Sequence, residues 1–120
     1  MVYKKLKDIP EFLAKDHTHL KEVLNPSNDI LALNYSLAYA YLNVGEQSLP
    51  HSLMHSETYY ILEGNGEIHL DEKSLVIEKG DIIYVPENVK QYVINKGKIN
   101  LAFLCIVSPP WTPDIEIIKN

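Results

Sequence analysis

The spacing of hydrophobic and polar positions changes near residue 30. Before it, Phe12, Leu13, Leu20, Val23 and Leu24 stand among charged residues and supply the apolar positions of one or two short helices. Asp8 ahead of Ile9-Pro10-Glu11 reads as an N-cap with proline in the first turn, and Asn25-Pro26-Ser27-Asn28-Asp29 ends the segment. From Ile30 the pattern turns to short β-type runs over 31–44, 58–62, 67–70, 75–77, 81–85, 92–94 and 100–107. Gly64-Asn65-Gly66, Asp71-Glu72-Lys73, Lys79-Gly80, Glu87-Asn88 and Asn95-Lys96-Gly97 punctuate them. Seven narrow strands in an open sheet would leave long unpaired edges, so the pattern predicts an all-β, jelly-roll-type barrel. The expected division is an N-terminal helical or extended segment, 1–29, packed on a barrel, 30–120, that ends in a proline-rich tail. In that tail Ser108-Pro109-Pro110-Trp111-Thr112-Pro113 cannot pair as a strand and is expected to fold Trp111 back over the barrel.

Composition narrows the function classes. A chain of 120 residues has room for one core and one site. Net charge is -5 with no basic cluster, which argues against nucleic acid as a partner. All cationic charge is lysine; without arginine the chain lacks the bidentate fork usual for phosphates and carboxylates. The single cysteine, Cys105, lies in an apolar run and reads as a buried thiol. No stretch approaches the roughly 20 apolar residues of a membrane span, so a cytoplasmic protein is expected.

The chemistry concentrates between Gly45 and Gly66. In extended chain alternate residues share a face, so His51, Leu53, His55, Glu57 and Tyr59 point one way unless a bulge intervenes. Imidazole and carboxylate would then meet in one cavity, a ligand mixture that suits zinc, iron, manganese or nickel. Other histidines carry less. His17 and His19 form a His-x-His pair that reads as the start of a surface helix, and His69 reads as an outward residue of a hairpin. Among eight tyrosines, Tyr35, Tyr39 and Tyr41 alternate with small residues and suggest packing or a subunit face. Tyr59 and Tyr84, nearer the histidines, are the candidate proton or hydrogen-bond donors.

On these residues the chain resembles the cupins. Gly45, His51, Glu57 and Gly64 fall in register with the first cupin motif, with Leu53 in the place of its second histidine. Gly80, Pro86 and Asn95 keep the spacing of the second motif, with Asn88 in place of glycine and Gln91 in place of the histidine that supplies the fourth metal ligand. The fifteen residues between Gly64 and Gly80 match compact microbial cupins. Tyr35-Ser36-Leu37-Ala38, Ser56 to Leu62 and Phe103 to Val107 are similar to the small cupins labelled mannose-6-phosphate isomerase-like, a label that describes barrel sequence and not activity. The resemblance implies a double-stranded β-helix, homodimers and a divalent metal in the barrel mouth. Residue by residue it carries over His51, Glu57 and Gln91 as ligands, with His55 able to swing in for the histidine missing at Leu53.

Three functions follow as expectations. One is a metal-dependent isomerase or oxygenase acting on a small polar molecule. A second is a module that binds or senses a sugar or organic acid without turnover, which the two altered ligand positions favour. The third is metal-free acid–base catalysis with His51 as base and a tyrosine as acid, against which the missing arginine counts.

Overall fold

The alternation read over 100–107 is the alternation of a strand with one wet and one dry face. In the computed structural model, which describes residues 1–119, Leu101, Phe103, Cys105 and Val107 turn inward while Leu104 and Ile106 face out. They belong to β10 (Leu101–Ser108), which lies between β3 (Ser36–Leu42) and β5 (Ser56–Glu63). With β1 (Phe12–Leu13), β2 (His19–Leu24) and β8 (Ile82–Val85) they form a six-stranded sheet in the order β1-β2-β3-β10-β5-β8. The facing sheet has five strands, β11 (Glu116–Ile118), β4 (His51–Leu53), β9 (Gln91–Asn95), β6 (Asn65–Leu70) and β7 (Lys73–Glu78), in that order. All pairings are antiparallel. Two sheets packed this way make the double-stranded β-helix expected of the pattern.

The inner faces interlock over Leu42, Tyr59, Ile61, Ile68, Ile77, Val85, Val93, Leu101 and Phe103. Phe103 is only 1% exposed and its ring lies 5.3 Å from that of Tyr59. Burying a side chain of this size stabilises the fold by about 1.5–3 kcal/mol. Leu53, Val107 and Ile115 form a second, smaller cluster at the other end, and Trp111 packs on it. The proline-rich tail thus folds Trp111 back, with its backbone N–H donating to Ser36 Oγ at 2.9 Å. The tail also continues into β11, a strand that the proline pattern hid.

Gly64 shows why the turns carry the residues they do. It has φ +84°, and a Cβ there would run into the backbone carbonyl of Asn100. Asn95, the last residue of the second motif, has a structural task. Its Nδ2 donates to Leu42 O and Ile99 O at 3.0 and 2.9 Å, and its Oδ1 accepts from Gly97 N.

The N-terminal helices expected from the sequence are not formed. Apart from one 3-10 turn, Leu6–Asp8, the segment is extended, and Asp8 does not cap it. The competing structure is a hairpin. Phe12 and Leu13 pair with Leu20 and His19, and β2 then adds to the open edge of β3, with Leu20 opposite Ala40 and Lys21 opposite Tyr39. A ladder along an existing sheet edge satisfies more backbone groups than an isolated short helix, which is marginal in water. His19 accordingly starts a strand, not a helix. No helix among the described residues is long and apolar enough to cross a membrane.

Candidate functional site

A cavity in the barrel interior reaches polar side chains, with about 90 Å³ available to the centres of water molecules. Its chemistry begins at β4. His51 points inward and is 3% exposed. Its Nδ1 lies 2.7 Å from Leu49 O, a carbonyl that can only accept, so Nδ1 carries the hydrogen. In the neutral ring this leaves the Nε2 lone pair free, and Nε2 lies 3.6 Å from Asp16 Oδ2. A histidine pinned through one nitrogen to a backbone carbonyl, with the other presented to a cavity, is the arrangement of a metal-ligating imidazole.

Asp16 comes from the turn joining β1 to β2. Its Oδ1 accepts from Thr18 N and Thr18 Oγ1, and its carbonyl accepts from Leu49 N at 2.7 Å, which ties this turn to the chain just before β4. Glu116 comes from the start of β11, where it pairs with Leu53. Trp111 Nε1 donates to Glu116 Oε1 at 3.1 Å, and Lys15 Nζ donates to the Glu116 carbonyl at 3.0 Å. One ligand atom from each of Asp16, His51 and Glu116 falls within 4.8 Å of the others. Burial and the neighbouring Asp16 carboxylate hold the Glu116 carboxyl above its usual range, against the pull of His51.

Glu57, on β5, lines the same cavity. It is 6% exposed, and its Oε1 is the buried side-chain polar atom without a hydrogen-bond partner among the described residues. Burial pushes its carboxyl up to about 7, against the pull of His51 and with the push of Asp16 and Glu116. A buried carboxylate oxygen with no donor is costly unless something meets it. Three carboxyl groups and one imidazole converging on a small space are a donor set that a divalent cation fits.

The other sequence candidates lie elsewhere. Gln91 pairs with His51 across β4 and β9, but its Oε1 accepts from the Tyr59 hydroxyl at 2.5 Å and it does not line the cavity. Tyr59 does line it, with its hydroxyl engaged by Gln91 and burial pushing it well above the usual tyrosine range. His55 sits in the bend between β4 and β5, outside the cavity, with Nδ1 at 2.9 Å from Pro109 O. That bend breaks the alternation that would have aimed it inward. Tyr84 is 62% exposed on the outer face of β8. His17 is exposed, His19 stacks on Tyr41 and meets Glu46, and His69 stacks on Tyr92 beside Glu67. The structure therefore brings together His51 and Glu57, leaves Gln91 beside His51 but engaged with Tyr59, places His55 outside the cavity, and adds Asp16 and Glu116. The signal for Glu116 was the alternating, isoleucine-rich stretch 115–118; Asp16 had none beyond its position between two apolar runs.

A family model described as Cupin domain, Cupin_2, matches residues 38–107. The chain belongs to the cupins. Protein MJ1618 of Methanocaldococcus jannaschii is 37% identical over 113 residues, covering 92% of this chain and 90% of that protein. Among solved structures, the polyketide cyclase RemF from Streptomyces resistomycificus is similar with a TM-score of 0.79 and 15% identity over 90% of this chain and 79% of the other. A predicted oxalate decarboxylase from Thermotoga maritima is similar with a TM-score of 0.77 and 20% identity over 90% of this chain and 99% of the other. At that level of identity the likeness is one of fold. Both Asp16 and Glu116 lie outside the span of the family model.

Proposed function

We propose that this cupin is a metal-dependent enzyme of isomerase or oxygenase type, acting on a small polar molecule in the cavity walled by Asp16, His51, Glu57 and Glu116. The observation that carries the reading is the convergence of Asp16, His51 and Glu116 beside a buried Glu57 oxygen that has no partner. One nitrogen and several carboxylate oxygens suit manganese, iron, zinc or nickel. A bound divalent ion supplies Lewis-acid polarisation of a substrate oxygen. Asp16, His51 and Glu116 hold the ion, and Leu49 O fixes the imidazole for that task. Glu57 faces the same space and is able to take or return a proton near neutral pH. Tyr59 and Gln91 hold each other and support the wall.

The test is metal content by plasma mass spectrometry on untagged protein. Wild type and Gln91→Ala should carry about one ion per chain, and His51→Ala, Asp16→Asn and Glu116→Gln should lose it. A metal-free wild type, or metal retained in Asp16→Asn and Glu116→Gln but lost in Gln91→Ala, would overturn the assignment. One observation favours the second reading, a cupin that binds a sugar or organic acid without turnover. The side chain at the second motif's ligand position, Gln91, is spent on Tyr59.

The reading includes a cytoplasmic homodimer. Supporting the dimer, Ile82, Tyr60, Leu104 and Tyr39 lie in one cross-strand row on the outer face of the six-stranded sheet, beside a second row of Tyr84, Thr58 and Ile106. Apolar rows this wide, with Ile82 70% exposed, are characteristic of contact surfaces. Light scattering should give a dimer mass for wild type and a monomer mass for Tyr60→Glu; a monomeric wild type would refute it.

A further inference from the structure

Segment 11–18 runs along the cavity as a strap, and Phe12, Ala14, Lys15 and Asp16 supply part of the wall. Little apolar burial holds it there. Phe12 and Leu13 are 50% and 61% exposed and belong to neither core cluster, and β1 pairs with β2 over those two residues alone. The turn that follows puts His17 at φ +72°, a left-handed conformation that costs a residue with a Cβ. Outside its own hairpin the strap is tied by the Tyr41 hydroxyl donating to Glu11 Oε2 at 2.9 Å, Lys15 Nζ to the Glu116 carbonyl at 3.0 Å and Leu49 N to the Asp16 carbonyl at 2.7 Å. A short segment with so few attachments belongs to the low end of local stability.

The inward end of the strap meets repulsion. Nδ1 of His51 carries the hydrogen, so in the neutral ring the Nε2 lone pair faces the Asp16 carboxylate across 3.6 Å with no proton between them. Glu116 and Glu57 bring two more carboxyl groups to the same space. Facing lone pairs and like charges push Asp16, and the strap with it, away from β4 and β11. A divalent ion shared by Asp16, His51 and Glu116 turns those contacts attractive. The three anchors differ in firmness. His51 is buried in β4, and Glu116 follows Ile115, which is buried in the second core cluster, whereas Asp16 stands on a segment without a buried apolar side chain.

We propose that the ion fastens the strap. On the reading that Asp16, His51 and Glu116 hold a cation, its binding docks segment 11–18 on the barrel, and the cavity wall is complete only in the loaded chain. The order of binding is therefore ion first and small molecule second.

Deuterium exchange read by mass spectrometry, on zinc-loaded protein beside EDTA-treated protein, tests this. The reporting amides are Ala14, His17 and Thr18, which donate within the turn. The reference is 73–78, the β7 edge of the facing sheet. With zinc about a hundredfold above its Kd, a strap that must release the ion to open gains up to about a hundredfold in protection; slowing of at least about tenfold over 11–18 is expected, with β7 changed by less than about twofold. Lys15→Ala cuts the tie to the Glu116 carbonyl and spares the ligand side chains, so it should hold zinc and keep the slowing. Asp16→Asn should show none. Zinc content, measured on the same samples, separates the strap from the metal reading. Zinc held with strap exchange unaltered, or slowed no more than β7, overturns the strap alone. So does slowing that persists in Asp16→Asn, or that vanishes in a zinc-loaded Lys15→Ala, where the lysine and not the ion would be the fastener. A wild type that holds no zinc overturns both.

Discussion

Replacing Glu57 by glutamine should stabilise the metal-free protein at alkaline pH and leave it nearly unchanged in mild acid. The carboxyl is buried at 6% exposure, its Oε1 has no donor, and its pKa is raised from 4.5 to about 7 in the folded chain. An acid whose pKa is raised by folding binds more protons in the native state than in the unfolded state between those two values. Stability therefore falls as pH rises from about 4.5 to about 7, and is level beyond. At 1.36 kcal/mol per pH unit the loss amounts to about 3 kcal/mol. Glutamine keeps the shape and removes the charge, so its stability should lack this slope. Urea unfolding after dialysis against EDTA, at pH 5 and at pH 8, measures the difference between variant and wild type at each pH. Comparing the two differences cancels every group that titrates alike in both proteins. A gain for Glu57→Gln that grows by about 2–3 kcal/mol from pH 5 to pH 8 is expected. An equal effect at both pH values would refute the reasoning, because it would mean that Glu57 is solvated or paired and not held in a carboxyl-rich cavity.

Three further perturbations test the framework around that cavity. Phe103→Ala, which empties a site packed on Tyr59 and only 1% exposed, should cost about 3–5 kcal/mol in urea unfolding. Tyr59→Phe removes the donor to the buried Gln91 oxygen and should cost about 1–3 kcal/mol, with metal content unchanged in the mass-spectrometric assay. Gly64→Ala places a Cβ against Asn100 O at φ +84°; a loss of at least about 1–2 kcal/mol in thermal or urea unfolding is expected, whereas Gly45→Ala, with open space around it, should lose less.

The barrel was legible because its strands alternate. The runs over 58–62, 67–70, 75–77 and 92–94 each fall inside a strand of the structure, and 81–85 and 100–107 each overrun theirs by one residue at the start, since one face of each must be buried and the period of two records it. The N-terminal segment was not, because Phe12, Leu13, Leu20, Val23 and Leu24 suit a short helix as well as a hairpin, and the edge of β3 decides between them. A single chain's pattern carries no trace of which edge is available. β4 was missed as a strand for a related reason: it is three residues long and its pairings, to β9 and β11, are remote in sequence.

The site divides along the same line. His51 and Glu57 were legible because they stand six positions apart on consecutive strands of the two sheets, β4 and β5, and both turn inward. The bend at Met54 and His55 keeps Glu57 inward and throws His55 outside. Gln91 occupies the position that the family's second motif reserves for a ligand, yet its amide oxygen is taken by the Tyr59 hydroxyl, a contact between opposite sheets that spacing cannot express. The two carboxylates that meet His51 instead come from the ends of the chain. Asp16 reaches it because its turn hydrogen-bonds to Leu49, and Glu116 because β11 pairs with β4. Both attachments are to β4 or the residues just before it, the same short strand that carries His51. Leu53 and Gln91 at the motif's histidine positions, and carboxylates brought in from both ends of the chain, together define the donors around His51. The result is a harder, oxygen-rich donor set than three histidines would give, so manganese and iron should lose less ground to zinc here than at a three-histidine site, while zinc still binds more tightly than manganese at equal concentration.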